Sequence, residues 1–102
     1  MADSAVFVFA SFHPREGRAS DLRSLLMWMV ERTRAEPGCE RYDLYEQIDA
    51  GGALHLFERY RSQEALEAHR AADYFVEYRR QVTDLLEEPI GVVVLDPIDV
   101  RA

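Results

Sequence analysis

The chain has 102 residues, 48% of them hydrophobic, which excludes a disordered segment and fits one domain. Its net charge is −7, and its 12 basic residues, all Arg, form no patch; this argues against nucleic acid and membrane surfaces as partners. The single cysteine, Cys39, excludes an internal disulfide and a cysteine zinc cluster and suits a reducing cytoplasm.

Val6 to Phe12 is β-branched and aromatic on both parities, which predicts a strand buried on both faces. The apolar run 5–12 is too short to span a bilayer, and Asp3 ahead of it does not make a basic leader. His13-Pro14 ends the strand and Gly17 lets the chain turn. From about Arg18 to Ala35, the residues Leu22, Leu25, Leu26, Met29, Val30 and Thr33 recur at spacings of three and four, so a helix turns one apolar stripe to a sheet. Trp28 lies off that stripe. It covers the helix flank, or it lines a subunit contact or a pocket edge.

Pro37-Gly38 suits a type II turn, with positive φ at the glycine. Cys39 to about Ile48 alternates as a strand, with Tyr42, Leu44, Glu46 and Ile48 on one face. The loop 49–52 then closes a hairpin, and Ala53 to Arg61 returns as a third strand. Leu54, Leu56, Glu58 and Tyr60 share one of its faces; His55, Phe57 and Arg59 share the other. Ser62 is placed to cap a short helix to about Ala71, and Asp73 to cap another. That second helix carries Phe75, Tyr78, Val82, Leu85 and Leu86 as its stripe and stops at Pro89. Val92 to Leu95 is the last strand.

The order β-α-β-β-α-α-β predicts an α+β fold of the ferredoxin-like, split β-α-β kind, with a four-stranded antiparallel sheet and its helices on one face. One domain spans 1–102, with a core of about 5–97. Helices on one side leave the other face of the sheet wet. The doubly apolar first strand therefore predicts a homodimer, in which two sheets join through their free faces as a dimeric α+β barrel.

Three residues carry candidate chemistry. His69 falls three positions after Leu66, on the sheet-facing side of its helix. It is either a core histidine tied to a carbonyl or carboxylate, or a general base. Glu58 is a carboxylate inside a strand, costly unless paired. It pairs with an Arg such as Arg79, or it orients His69 or a substrate hydroxyl. Arg79 flanks the apolar stripe four residues after Phe75. It is a solvated surface residue or the holder of a phenolate or enolate. Tyr42, Tyr60, Tyr74, Phe75 and Trp28 supply aromatic surface for core or for a flat aromatic substrate. No spacing suits a metal, and no glycine-rich loop suits a nucleotide.

Glu36-Pro37-Gly38-Cys39 with Tyr42, Glu58-Arg59-Tyr60, Glu64 to His69, Phe75 and the earlier Gly17 together resemble the antibiotic biosynthesis monooxygenase family over roughly 5–97. The chain departs from the family's pattern at Tyr60, where Trp is usual, and at Tyr74, where His is frequent. The resemblance implies a dimeric α+β barrel and a quinol monooxygenase-like activity. In that activity O2 oxidises a small phenolic or hydroquinone-type substrate without a cofactor. By the same resemblance His69 is the base, with Arg79 or Glu58 as orienting groups. A haem-degrading branch uses an Asn, a Trp and a His at positions that hold Ala10, His69 and Arg79 here, and none of these matches. Two other classes stay open: a cofactor-free isomerase or signal-degrading enzyme on a small carbonyl compound, and a non-catalytic dimeric binding or stress protein.

Overall fold

A computed structural model describes residues 4–101. Asp3 and the two ends of the predicted 1–102 domain lie outside the described residues. The element order is β1 (Val6–Phe12), α1 (Ala19–Arg34), β2 (Cys39–Glu46), β3 (Leu54–Tyr60), α2 (Gln63–Ala71), α3 (Asp73–Val82) and β4 (Gly91–Leu95), with a 3-10 turn Thr83–Leu85 after α3. The strands form one antiparallel sheet in the order β2-β3-β1-β4. This is the ferredoxin-like α+β arrangement that the pattern predicts.

Register puts Val8 opposite Glu58, Ala10 opposite Leu56 and Phe12 opposite Leu54, all pointing to the helices. α1 buries Leu22, Leu25, Leu26, Met29 and Thr33 against them, as the three-four spacing requires. α3 adds Tyr78 and Val82, and the 3-10 turn adds Leu85. The apolar side chains of α1, α3 and the 3-10 turn form one core cluster with Ala10, Phe12, Tyr42, Leu54 and Leu56, and Val8, Tyr60 and Leu66 form a smaller one. Ser62 caps α2 as expected, its hydroxyl accepting from the Ala65 N–H at 3.1 Å.

Three local expectations change. Gly38 is not in the positive-φ region, so the Glu36–Cys39 turn is not type II. Its glycine answers a packing demand instead: a Cβ there would sit 2.5 Å from the Ala65 Cβ. Asp73 is the first residue of α3 rather than its cap, and that place belongs to Ala72, whose backbone is extended. This one extended residue breaks the second helical segment in two, and it leaves the Asp73 carboxylate in the first turn, where the helix dipole favours it. β2 stops at Glu46, short of Ile48, which is 85% exposed.

Within one chain β1 is covered on its helix face, while the face for which the pattern predicts a second copy is only partly covered. Val8, Ala10 and Phe12 are covered by helices, and Phe7 is covered by Phe57 and the Arg59 guanidinium, but Phe9 is 37% exposed. β4, at the sheet edge, is exposed along its whole length. No helix among the described residues is long and apolar enough to cross a membrane.

Candidate active site

His69 comes from the last turn of α2, where Leu66 and His69 form the buried side of the helix. Its ring is 2% exposed and packs among Tyr42, Tyr60, Tyr74 and Phe75, with centroids 4.9 to 6.3 Å away. Its Nδ1 lies 2.9 Å from the Oε2 of Glu36. The same carboxylate oxygen accepts from the Tyr74 hydroxyl. Because Nδ1 faces a carboxylate, it is the nitrogen that carries the proton, and Nε2 is left for the cavity described below. Burial pulls the imidazole below its ordinary range, and the Glu36 carboxylate partly opposes that shift. His69 is therefore neutral near pH 7, the form a general base needs.

Glu58 projects from β3 beneath His69 and is 6% exposed. The Tyr60 hydroxyl donates to its Oε1 at 2.6 Å. Burial pushes its carboxyl up to about 7; the Tyr60 hydrogen bond and the positive charge of Arg70 act against that rise. A carboxyl poised near neutral pH serves as acid or base with equal ease. Burial, together with the Glu58 charge, drives the Tyr42 and Tyr60 phenols well above their ordinary range, so both stay protonated.

A cavity of about 270 Å³ opens where these groups meet. Val8, Ala10, Tyr42, Phe75, Tyr78 and Val92 give it apolar and aromatic walls, Glu58 and His69 give it groups that exchange protons, and Arg70 and Arg79 give it positive charge. Larger depressions exist on the outer side of α2 and between α1 and α3. The smaller cavity is the candidate site, because an uncharged imidazole and a near-neutral carboxyl both face it.

Among the predicted site residues, His69, Glu58, Arg79, Tyr42 and Phe75 are brought together, with Arg79 exposed at the rim. Tyr60 is fully buried behind Glu58 and does not reach the cavity; it acts on the site as a hydrogen-bond donor. Trp28 and Tyr74 are not in the cavity. Trp28 stacks edge-on against Tyr74, lies under Arg32 and borders the depression between α1 and α3, whereas Tyr74 faces the outer side of α2. Glu58 pairs with neither Arg79 nor His69. Its hydrogen bond goes to Tyr60, which shares its face of β3, and the place beside His69 is taken by Glu36.

Pattern reading missed Glu36 and Arg70. Glu36 precedes His69 by 33 residues and sits in the turn before β2, so no helical or strand period joins the two. Arg70 is adjacent to His69 in sequence, and a helix places neighbours about 100° apart, which hides a shared cavity. Among the described residues no group of three or more His, Cys, Asp or Glu side chains is arranged to hold a metal.

The family profile described as antibiotic biosynthesis monooxygenase matches residues 5–81. This chain belongs to that family. Rv0793 of Mycobacterium tuberculosis, provisionally named a monooxygenase, is 53% identical over 96 residues, 94% of each chain. Its solved structure superposes with a TM-score of 0.93 at 52% identity, covering 97% of this chain and 100% of that one. YcnE of Bacillus subtilis, named in the same provisional way, is 29% identical over 79 residues, 78% of this chain and 79% of its own. The structure of PA3566 from Pseudomonas aeruginosa gives a TM-score of 0.89 at 25% identity, covering 97% and 99% of the two chains. Family and relatives together support a monooxygenase-like function.

Proposed function

We propose that this protein is a cofactor-independent monooxygenase that uses O2 to oxidise a small phenol or hydroquinone. The observation that carries the reading is the pairing of neutral His69, held through Nδ1 by Glu36, with near-neutral Glu58 at one aromatic-walled cavity. His69 Nε2 takes the phenolic proton. The electron-rich phenolate passes one electron to O2, and the two radicals combine at a ring carbon. Arg79 at the rim stabilises the phenolate. Glu58 protonates the resulting peroxide and then takes the proton from the same ring carbon as the O–O bond breaks. The carbon thereby becomes a carbonyl, and the distal oxygen leaves as hydroxide, which the His69 proton converts to water. An apolar cavity of about 150 Å³ holds one benzene ring. At about 270 Å³ the present one suits one ring with substituents or two fused rings.

The active unit in this proposal is a homodimer. Phe9, Val93 and Leu95 leave an exposed apolar strip on the open face, and β4 offers an unpaired apolar edge. Val92 of that edge also borders the cavity, so a second copy seated there would narrow its mouth. Sedimentation at micromolar protein tests this. A monomer at all concentrations would remove the dimer from the proposal.

A second reading has its own support in the four ionisable side chains around so small a cavity, which would also suit a small carbonyl compound and proton transfer alone. Oxygen uptake by metal-free protein with hydroquinones and dihydroxynaphthalenes separates the two. Uptake well above autoxidation supports the oxygenase; none across the panel transfers the site to carbonyl chemistry.

A further inference from the structure

The base at this site is almost sealed, and a sealed base that accepts a proton at each turnover must discharge it. Two cavities flank α2. The inner one contains His69 and lacks Glu36 and Tyr74; the outer one, about 520 Å³, contains Glu36 and Tyr74 and lacks His69. Glu36 spans the wall between them. Its carboxylate meets His69 Nδ1 at 2.9 Å on one side, and with 18% of its side chain exposed it reaches solvent on the other. The His69 ring is only 2% exposed. The Tyr74 hydroxyl fixes the same carboxylate oxygen. The backbone is shaped for this crossing. The turn at Pro37-Gly38 brings Glu36 against α2, where Gly38 packs without a Cβ on Ala65, and the small side chains of Ala65, Ala68 and Ala72 leave the outer cavity open.

We infer that His69, Glu36 and the outer cavity form a proton relay through the wall of the active site, with Tyr74 as its positioning residue. The relay deepens the oxygenase reading and rests on it for the source of the proton. Each transfer balances. A substrate hydroxyl loses its proton to Nε2, giving a phenolate and an imidazolium. The imidazolium passes its Nδ1 proton to the Glu36 carboxylate, giving a neutral ring and a carboxylic acid. That acid releases the proton to water in the outer cavity. The steps run in reverse when the reduced oxygen needs a proton, and the starting tautomer returns. Only the proton crosses the wall; no group has to leave the substrate cavity for the transfer.

The test uses protein labelled with 15N in its histidine rings, with the His69 signals assigned by their loss in His69→Ala. Wild-type His69 is expected to carry its proton on Nδ1. Exchange of that proton with water is expected to be at least about tenfold faster than in Glu36→Gln at pH 7, because the amide accepts the same hydrogen bond and cannot take the proton. A proton on Nε2 in the wild-type protein, or equal exchange rates in the two proteins, would overturn the relay. The wild-type tautomer decides the matter even where Glu36→Gln fails to fold. With hydroquinone as substrate, Glu36→Gln is expected to lower kcat about tenfold at unchanged KM, and added formate or imidazole is expected to restore the rate in a concentration-dependent way. Rescue absent from a slowed variant counts against the relay. If hydroquinones and dihydroxynaphthalenes elicit no oxygen uptake, the oxygenase reading falls, and the tautomer and exchange rates still decide the relay.

Discussion

Two histidines stand on opposite sides of the same sheet in opposite states. His69, over the helix-covered face, is 2% exposed and bound at one nitrogen by a carboxylate. His55, on the open face, has both nitrogens occupied, Nδ1 by the Ser11 hydroxyl at 2.9 Å and Nε2 by the Gln47 amide oxygen at 2.6 Å, and it stacks on Phe9. One ring keeps a nitrogen for chemistry beside a cavity; the other is fully engaged by neutral partners on a surface. The difference comes from what covers the strands. Helices exclude water from Val8, Leu56 and Glu58 and so make an uncharged imidazole and a protonated carboxyl favourable there, whereas the open face lets polar side chains satisfy each other.

Removing each ring tests that contrast most severely. His69→Ala is expected to lower kcat/KM for a hydroquinone by about 100-fold or more, the range for loss of a general base, and His55→Ala to lower it less than about twofold. Equal losses would break the comparison. The packing contrast is tested next by thermal or urea unfolding. Leu56→Ala, at a site 1% exposed, is expected to cost about 3 kcal/mol at any protein concentration. Phe9→Ala, at 37% exposed, is expected to cost about 1 kcal/mol in dilute protein and more as concentration rises, because a second copy would then cover the ring. A concentration-independent cost for Phe9→Ala would leave the open face without its proposed partner.

Much of this was legible in the chain. The two-residue period of Leu54, Leu56, Glu58 and Tyr60 and the three-four period of Leu22 to Thr33 report which side each residue takes, since burial follows period wherever one face is dry. His69 was legible for the same reason. What stayed hidden depends on contacts between elements. Glu36 meets His69 only because the turn before β2 packs on α2, and Gly38 is there for a neighbour's methyl group rather than for its own φ. Trp28 and Tyr74 carry the right chemistry for a pocket, but they lie on flanks that a linear pattern cannot tell from its interior. β1 is apolar on both parities, and one chain covers its helix face and Phe7 but leaves Phe9 exposed, so the cover that the pattern predicts for the second face would have to come from another copy.

The last prediction concerns Glu58, where one face of the sheet stores an electrostatic cost that the other does not. Its carboxyl titrates at about 7 in the fold, against an ordinary 4.5 once the chain unfolds. Between those two values the folded protein holds a proton that the unfolded chain has released, so stability falls as pH rises across that window. Above pH 7 the buried carboxylate destabilises the fold by up to about 3 kcal/mol, and hydration through the cavity lowers this to about 2. Glu58→Gln keeps an oxygen to accept from the Tyr60 hydroxyl and removes the titration. It is therefore expected to stabilise the protein by about 2 kcal/mol at pH 8, with the gain shrinking towards zero below pH 4.5. Urea unfolding at the two pH values measures it. A gain that stayed the same at both would mean that Glu58 binds its proton equally well folded and unfolded, so that it is an ordinary ionised carboxylate in the fold at pH 8 and the helix-covered face carries its charge without cost. The reading of Glu58 as a proton donor poised near neutrality would then lose its basis, while His69 would keep its place as the base.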